Sequence, residues 1–265
     1  LRIVVLGSGS AGNCTALVSP EGIVLMDCGF SPKETRRRMV MAGLDASLVR
    51  AVILTHPDGD HLHGGWARVL GGLTGPRLHV ASRHASSVRY SGFNSAAIQE
   101  HHDDFMESGL HFHALRMPHD SLGSCAFRIQ RGETRIGYAT DIGRPSTELV
   151  EHLLGCTVVC VESNYCPQMQ RASGRPQFLL DRIMGGRGHL SNQQTLDMVR
   201  VLHRSSPLQR LILLHLSQQC NDPAVVQRLY QEQAPELLDY LVVTGQHHPA
   251  PPVDARPGGH AVALF

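Results

Sequence analysis

The apolar run 51-AVILT-55 opens directly into 55-THPDGDHLHGG-65, where three histidines and two aspartates fall within eight positions. No other feature restricts the fold so much. A buried strand must end where polar side chains can converge, and convergent imidazole and carboxylate groups on a rigid edge suit a metal. His56 follows the strand directly, and Pro57 keeps it in extended geometry. Residues 56, 58 and 60 then project in related directions, with His61 beside Asp60.

The surrounding pattern is one of short strands and capped helices. Strands are predicted at 2–6, 14–19, 23–27, 111–117, 125–130, 134–140, 157–162 and 208–217. Ser31, Pro32 and Glu34 open a helix that Gly43 ends, with Glu34 closing a capping box. The box 191-SNQQ-194 opens a second helix, and Asp222 with Pro223 a third. Residues 66–110 read as mixed helix and loop. Strands, helix, strands, helix, strand, helix in that order imply two half-units, each a sheet with helices outside. The expected class is α/β, a four-layer αββα sandwich. Residues 1–265 are expected to form one domain, with a Pro/Gly-rich segment from about 246.

Three further groups share the box's placement. His119 follows a strand in 118-PHD-120, Asp141 ends one in 140-TDIG-143, and His215 sits within the apolar run 208–217. The stretch 7-GSGSAG-12 satisfies a dinucleotide-loop pattern, but 13-NCTALVSPEGIVLMD-27 continues as a hairpin rather than a helix. A tight turn lining a site is the expected use of these glycines.

Jointly these residues resemble the metallo-β-lactamase fold superfamily. More narrowly the chain is similar to the YycJ/WalJ group of bacterial metal-dependent exonucleases. The resemblance covers nearly all of residues 1–232. It rests on 7-GSGSAGN-13, 26-MDCGF-30, 55-THPDGDHLHGG-65, 118-PHD-120, 140-TDIG-143, 188-GHLSN-192 and 214-LHLSQQCN-221. It implies two divalent metal ions per chain, Mn²⁺ or Zn²⁺, with a hydroxide between them as nucleophile. His56, Asp58 and His119 would hold the first ion, Asp60, His61 and His215 the second, and Asp141 both. Asp60 and His189 are the implied catalytic residues, His189 protonating the leaving group or binding phosphate. His189 lies two residues before the Ser191 cap, where a helix N-terminus favours an anion.

The superfamily usually has His at position 58. The Asp found here is a harder oxygen donor and should favour Mn²⁺ over Zn²⁺ relative to the usual site. The group usually reads Asn-His-Asp where this chain has 164-NYC-166. Arg171, Arg175, Arg182 and Arg187 precede His189 and suit phosphodiester oxygens. Arg175, Arg187, Ser191 and Asn192 are the expected substrate contacts. Arg36, Arg37 and Arg38 are expected to face solvent. The implied function is a phosphodiesterase acting on nucleic acid, DNA before RNA, at a 5′ end. The alternatives are a small-molecule hydrolase of a cyclic nucleotide phosphodiester, β-lactam, thioester or lactone, and a decayed, non-catalytic binding protein.

Composition limits the remaining classes. The net charge of +1 means a polyanion would meet a local patch, not a basic surface. No apolar run approaches the length of a membrane span, and 1-LRIVVLG-7 reads as a strand rather than a signal segment. Seven cysteines without a CxxC pair imply reduced thiols and a cytoplasmic protein.

Overall fold

The computed structural model describes residues 1–71, 75–206 and 208–256. The first sheet is built from β1 (Arg2–Gly7), β2 (Cys14–Ser19), β3 (Gly22–Met26), β4 (Val49–Ile53), β5 (Arg77–Ala81) and β6 (Ile98–His101). The second contains β7 (Asp104–Glu107), β8 (Leu110–Met117), β9 (Ser124–Arg131), β10 (Thr134–Ala139), β11 (Val158–Glu162), β12 (Arg210–Leu214) and β13 (Leu241–Val243). The chain then returns to the first sheet as β14 (Val253–Asp254), beside β1.

The two sheets share one plan. Each has seven strands, and each begins as an antiparallel meander that becomes parallel: β3 to β6 in the first, β10 to β13 in the second. Ile3, Met26 and Ile53 of the first sheet pack with Phe112, Phe127, Tyr138 and Ile212 of the second, forming a core between the sheets. Outside them lie α1 (Pro32–Met41) and α2 (Ser82–Tyr90) on the first sheet, and α3 (Thr147–Leu153), α6 (Asn192–Ser205) and α7 (Pro223–Gln233) on the second. Two short helices, α4 (Pro167–Arg171) and α5 (Gln177–Arg182), precede α6. The central strands are buried along their whole length because a helix layer covers one face and a sheet the other. This is the αββα sandwich.

Local chemistry explains most element ends. Ser191 and Gln194 make the reciprocal capping box of α6. Ser31 caps α1, but Glu34 turns its carboxylate to Arg37 and Arg38. Arg38 is not solvent-facing as its neighbours' pattern implied. It is 6% exposed, lies over the Phe30 ring, and donates to the carbonyls of Leu6 and Gln246. Gln246 also accepts from the Ala11 amide and donates to the Gly12 carbonyl, so a late residue fixes the first turn of the chain. Residues 66–110 hold β5, β6 and β7 as well as helix. The charged faces of 98-IQEH-101 and 104-DFME-107 hid two of these strands. Part of the C-terminal segment is strand β14; its apolar end, 261–265, lies outside the described residues.

Candidate metal centre

The carboxyl ends of β3, β4, β8, β10, β11 and β12 meet at one rim, where open α/β sheets place ligands. The loop after β4 carries His56 to His61, and Gly29 lets it approach closely: a Cβ on Gly29 would sit 1.8 Å from the Asp60 carbonyl oxygen. The glycine turn after β1 lies on the same rim. Ser8 donates to Asn13, and the Asn13 amide nitrogen is 3.1 Å from His61 Nε2. That turn joins two antiparallel strands, so it lines a cavity and opens no dinucleotide-binding helix.

Donor atoms of His56, Asp58 and His119 lie within 4.8 Å of one another, as do those of Asp60, His61 and His215. Asp141 stands between the groups. Its Oδ2 is 2.9 Å from His61 Nε2 and 3.8 Å from His215 Nε2, and its Oδ1 is 3.9 Å from His119 Nε2. All seven residues suggested by the sequence are thus brought together. His215 lies just beyond β12 rather than within a longer strand, because its backbone turns to φ 55° and leaves the ladder. Asp27 and Asp141 share that left-handed geometry, φ 59° and 54°. Such conformations are costly for non-glycine residues and collect at functional sites.

A second ring of contacts aims the imidazoles. His61 Nδ1 donates to the buried Asp27 carboxylate at 2.8 Å, and His119 Nδ1 to the Gly188 carbonyl at 3.0 Å. Both leave Nε2 facing the centre, an arrangement that fixes the tautomer of metal-binding histidines. His56 Nδ1 is 3.1 Å from Thr55 Oγ1, and His215 Nδ1 is 2.9 Å from the Asn164 amide. Asp27 also accepts from the Thr55 amide and hydroxyl, so one carboxylate organises the whole β4 loop.

His189 enters from the turn before α6. Its Nδ1 is 3.1 Å from Glu162 Oε2 and 3.3 Å from Asp141 Oδ1, leaving Nε2 for a substrate. Glu162 is fully buried and also accepts from the amides of Ile142 and Leu190, tying three loops together. Burial works to lower the His189 pKa, but Glu162 and Asp141 outweigh it and raise it to about 9. Burial likewise opposes charge on Asp60, yet His61 and His215 bring its carboxyl down to about 2. Asp141 is held well below the usual carboxylate range against the same opposition, by His215 and His61.

Asp58, Asp60, His119, Asp141, His189 and His215, with Ser10, Leu179, Arg182, Ile183 and Gly188, line a cavity of about 180 Å³. The donors are imidazole nitrogens and carboxylate oxygens without a thiolate, a set suited to Zn²⁺ or Mn²⁺. Partly buried carboxylates drawn this close repel one another unless cations or protonated imidazoles lie between them. The residues therefore fit divalent metal.

The substrate contacts suggested by the sequence fall elsewhere. Arg175 bonds Gln219, Ser191 caps α6, and Asn192 joins Ser163 and Asn221 in a buried network. Arg187 flanks a neighbouring hollow with His119 and Asp120. Arg182 is the arginine on the metal cavity, and it pairs with Asp120 across the mouth. Tyr165 and Cys166 do not line the cavity. The sequence reading missed Asp27, Glu162, Asn13 and Asn164. Glu162 carried a usable signal, a lone acid closing an apolar strand as Asp141 nearly does.

Comparison with known proteins agrees with this fold. The chain is 23% identical over 225 residues to the exodeoxyribonuclease WalJ of Streptococcus pneumoniae, covering 82% of each. Zinc-bound PqqB from Methylobacterium extorquens superposes with a TM-score of 0.70 at 16% identity, over 94% of this chain and 99% of that one. The short form of human tRNase Z gives 0.64 at 14% identity, over 97% and 100%. The family model described as a beta-lactamase superfamily domain matches residues 23–216. The chain belongs to that superfamily.

Proposed function

We propose that this chain is a dinuclear-metal-dependent phosphodiesterase that shortens nucleic acid, DNA before RNA, from a 5′ end. The observation that carries the reading is His189, held by Glu162 beside Asp141 in the same cavity as the ligand groups. A β-lactamase needs no such imidazole at a helix N-terminus, whereas an alkoxide leaving a phosphodiester needs a proton. Two divalent cations, when bound, would supply Lewis acidity at the phosphoryl oxygens and a more acidic water.

His56, Asp58 and His119 would hold one ion, Asp60, His61 and His215 the other, and Asp141 would offer one oxygen to each. His189 Nε2 donates to the leaving oxygen, with Glu162 stabilising the imidazolium before transfer. Arg182, turned from Asp120 toward the cavity, neutralises a non-bridging phosphate oxygen. The distant likeness to an exodeoxyribonuclease supports nucleic acid as substrate. The cysteines among the described residues are free and buried, which suits a reducing compartment and a cytoplasmic enzyme.

The test combines elemental analysis of purified protein with digestion of 5′-labelled DNA and RNA in Mn²⁺ and in Zn²⁺. Two metals per chain and stepwise release of labelled nucleotide from DNA are expected. Two bound metals with no turnover of DNA, RNA or bis-(p-nitrophenyl) phosphate would overturn the reading.

A further inference from the structure

A second metal-binding arrangement lies on the outer face of the second sheet, and nothing in the hydrolytic centre uses it. In β8 the residues Leu110 and Phe112 point into the buried core, so the alternate residues His111 and His113 share the opposite face. Register on the edge strand β7 puts Asp104 directly opposite His113, and Met106 opposite His111. The His113 Nδ1 donates to Asp104 Oδ1 at 2.6 Å, and the two imidazole rings sit 4.0 Å apart between centroids. One donor atom from each of Asp104, His111 and His113 falls within 4.8 Å of the others.

We propose that Asp104, His111 and His113 form a third, mononuclear site for a zinc-class divalent cation. Two imidazoles and one carboxylate are the donors that Zn²⁺, Co²⁺, Ni²⁺ and Cu²⁺ accept, whereas Mg²⁺ and Ca²⁺ prefer oxygen alone. Three protein ligands leave a fourth tetrahedral position for water. The ion takes the place of the proton now shared between His113 and Asp104.

The neighbouring charges set the affinity. Arg128 is opposite His113 on β9, away from Asp104, and its cation opposes a second one nearby. His152 meets the His113 carbonyl rather than its ring. With one carboxylate against one guanidinium, binding is weaker than at a centre with three aspartates. The location is separate from the hydrolytic rim: His113 precedes His119 by six residues of extended chain, about 20 Å. A metal here would staple the edge strand β7 to β8, where the described residues provide no further strand to pair with β7.

Zinc binding to the full chain at about 10 µM free Zn²⁺, measured by equilibrium dialysis and elemental analysis, tests this. The wild type should hold one more zinc per chain than His111→Gln/His113→Gln and than Asp104→Ala. Both variants should keep the zinc of the hydrolytic centre, which also reports that they fold. Added Zn²⁺ should raise the wild-type Tm above that of each variant by a few degrees. Equal zinc content in wild type and both variants would overturn the site, whatever the hydrolytic substrate proves to be.

Discussion

The histidines around the cavity rim and the buried His101 at the end of β6 are treated in opposite ways. At the rim, His56, His61, His119, His189 and His215 each have Nδ1 beside a specific partner: Thr55, Asp27, Gly188, Glu162 and Asn164. On the edge strand of the first sheet, His101 closes β6 at 4% exposure with neither ring nitrogen hydrogen-bonded. It packs instead against the rings of Phe105 and Phe127. His101 is as buried as His56, His61, His119 and His215, so burial does not separate the two cases. What makes an imidazole a ligand is the second contact that turns its other nitrogen toward a shared point.

The largest effect should come from Asp141, whose two oxygens face both ligand groups. Asp141→Asn should lower hydrolysis by roughly 10³ or more and release metal while circular dichroism stays native. Near-normal turnover would remove Asp141 from between the groups. Next is His189→Ala, which should cost on the order of 10²–10⁴ with a natural phosphodiester and far less with bis-(p-nitrophenyl) phosphate, whose leaving group needs no proton. Metal content should not change. Equal losses on both substrates would assign His189 to phosphate binding.

The orienting contacts should matter less than the ligands, but measurably. Asp27→Asn keeps the size of the side chain and weakens the hold on His61, so metal affinity should fall about 10–100-fold. Unchanged affinity would break the contrast drawn above, since burial alone would then suffice. Asp58→His should shift the activity ratio several-fold from Mn²⁺ toward Zn²⁺, read from metal-titrated rates.

The smallest effect concerns stability alone. Burial, with His79 next, pushes the His101 pKa down to about 4 from 6.5. The unfolded chain then binds the proton more readily. Stability from this residue is full above about pH 6.5 and falls as pH drops toward 4, by of order 3 kcal/mol in total. His101→Phe should flatten part of that fall in urea titrations at pH 7 and pH 4.5 and leave hydrolysis at neutral pH unchanged. An identical pH profile in the variant would show that His101 is protonated without cost.

The same contrast explains how far the sequence could be read. The β4 loop was legible because its donor groups are contiguous and follow one apolar strand. His119 and His215 were legible as polar residues at the ends of apolar runs, although His215 proved to lie past its strand. By that criterion alone His101, in 101-HHDD-104, looks much the same. The partners that separate the two cases, Asp27, Glu162 and Asn164, come from other strands 34, 27 and 51 residues away. No local pattern encodes such pairings. The arginine run before His189 marks a charged segment, but only the helical turn of α5 brings Arg182 to the cavity.

Gln246 gives the site a place in time as well as in space. Its side chain holds Ala11 and Gly12, 235 and 234 residues earlier, and its carbonyl receives Arg38. The turn beside the cavity is thus held by a side chain more than 230 residues further along the chain. β1 and β2 can pair without Gln246, but the loop between them then lacks this clasp. Contacts of such long separation slow folding, because the chain must be closed before they form. The clasp on this turn therefore closes after the local pairing of β1 with β2, and the side of the cavity that Ser10 lines is completed late in folding.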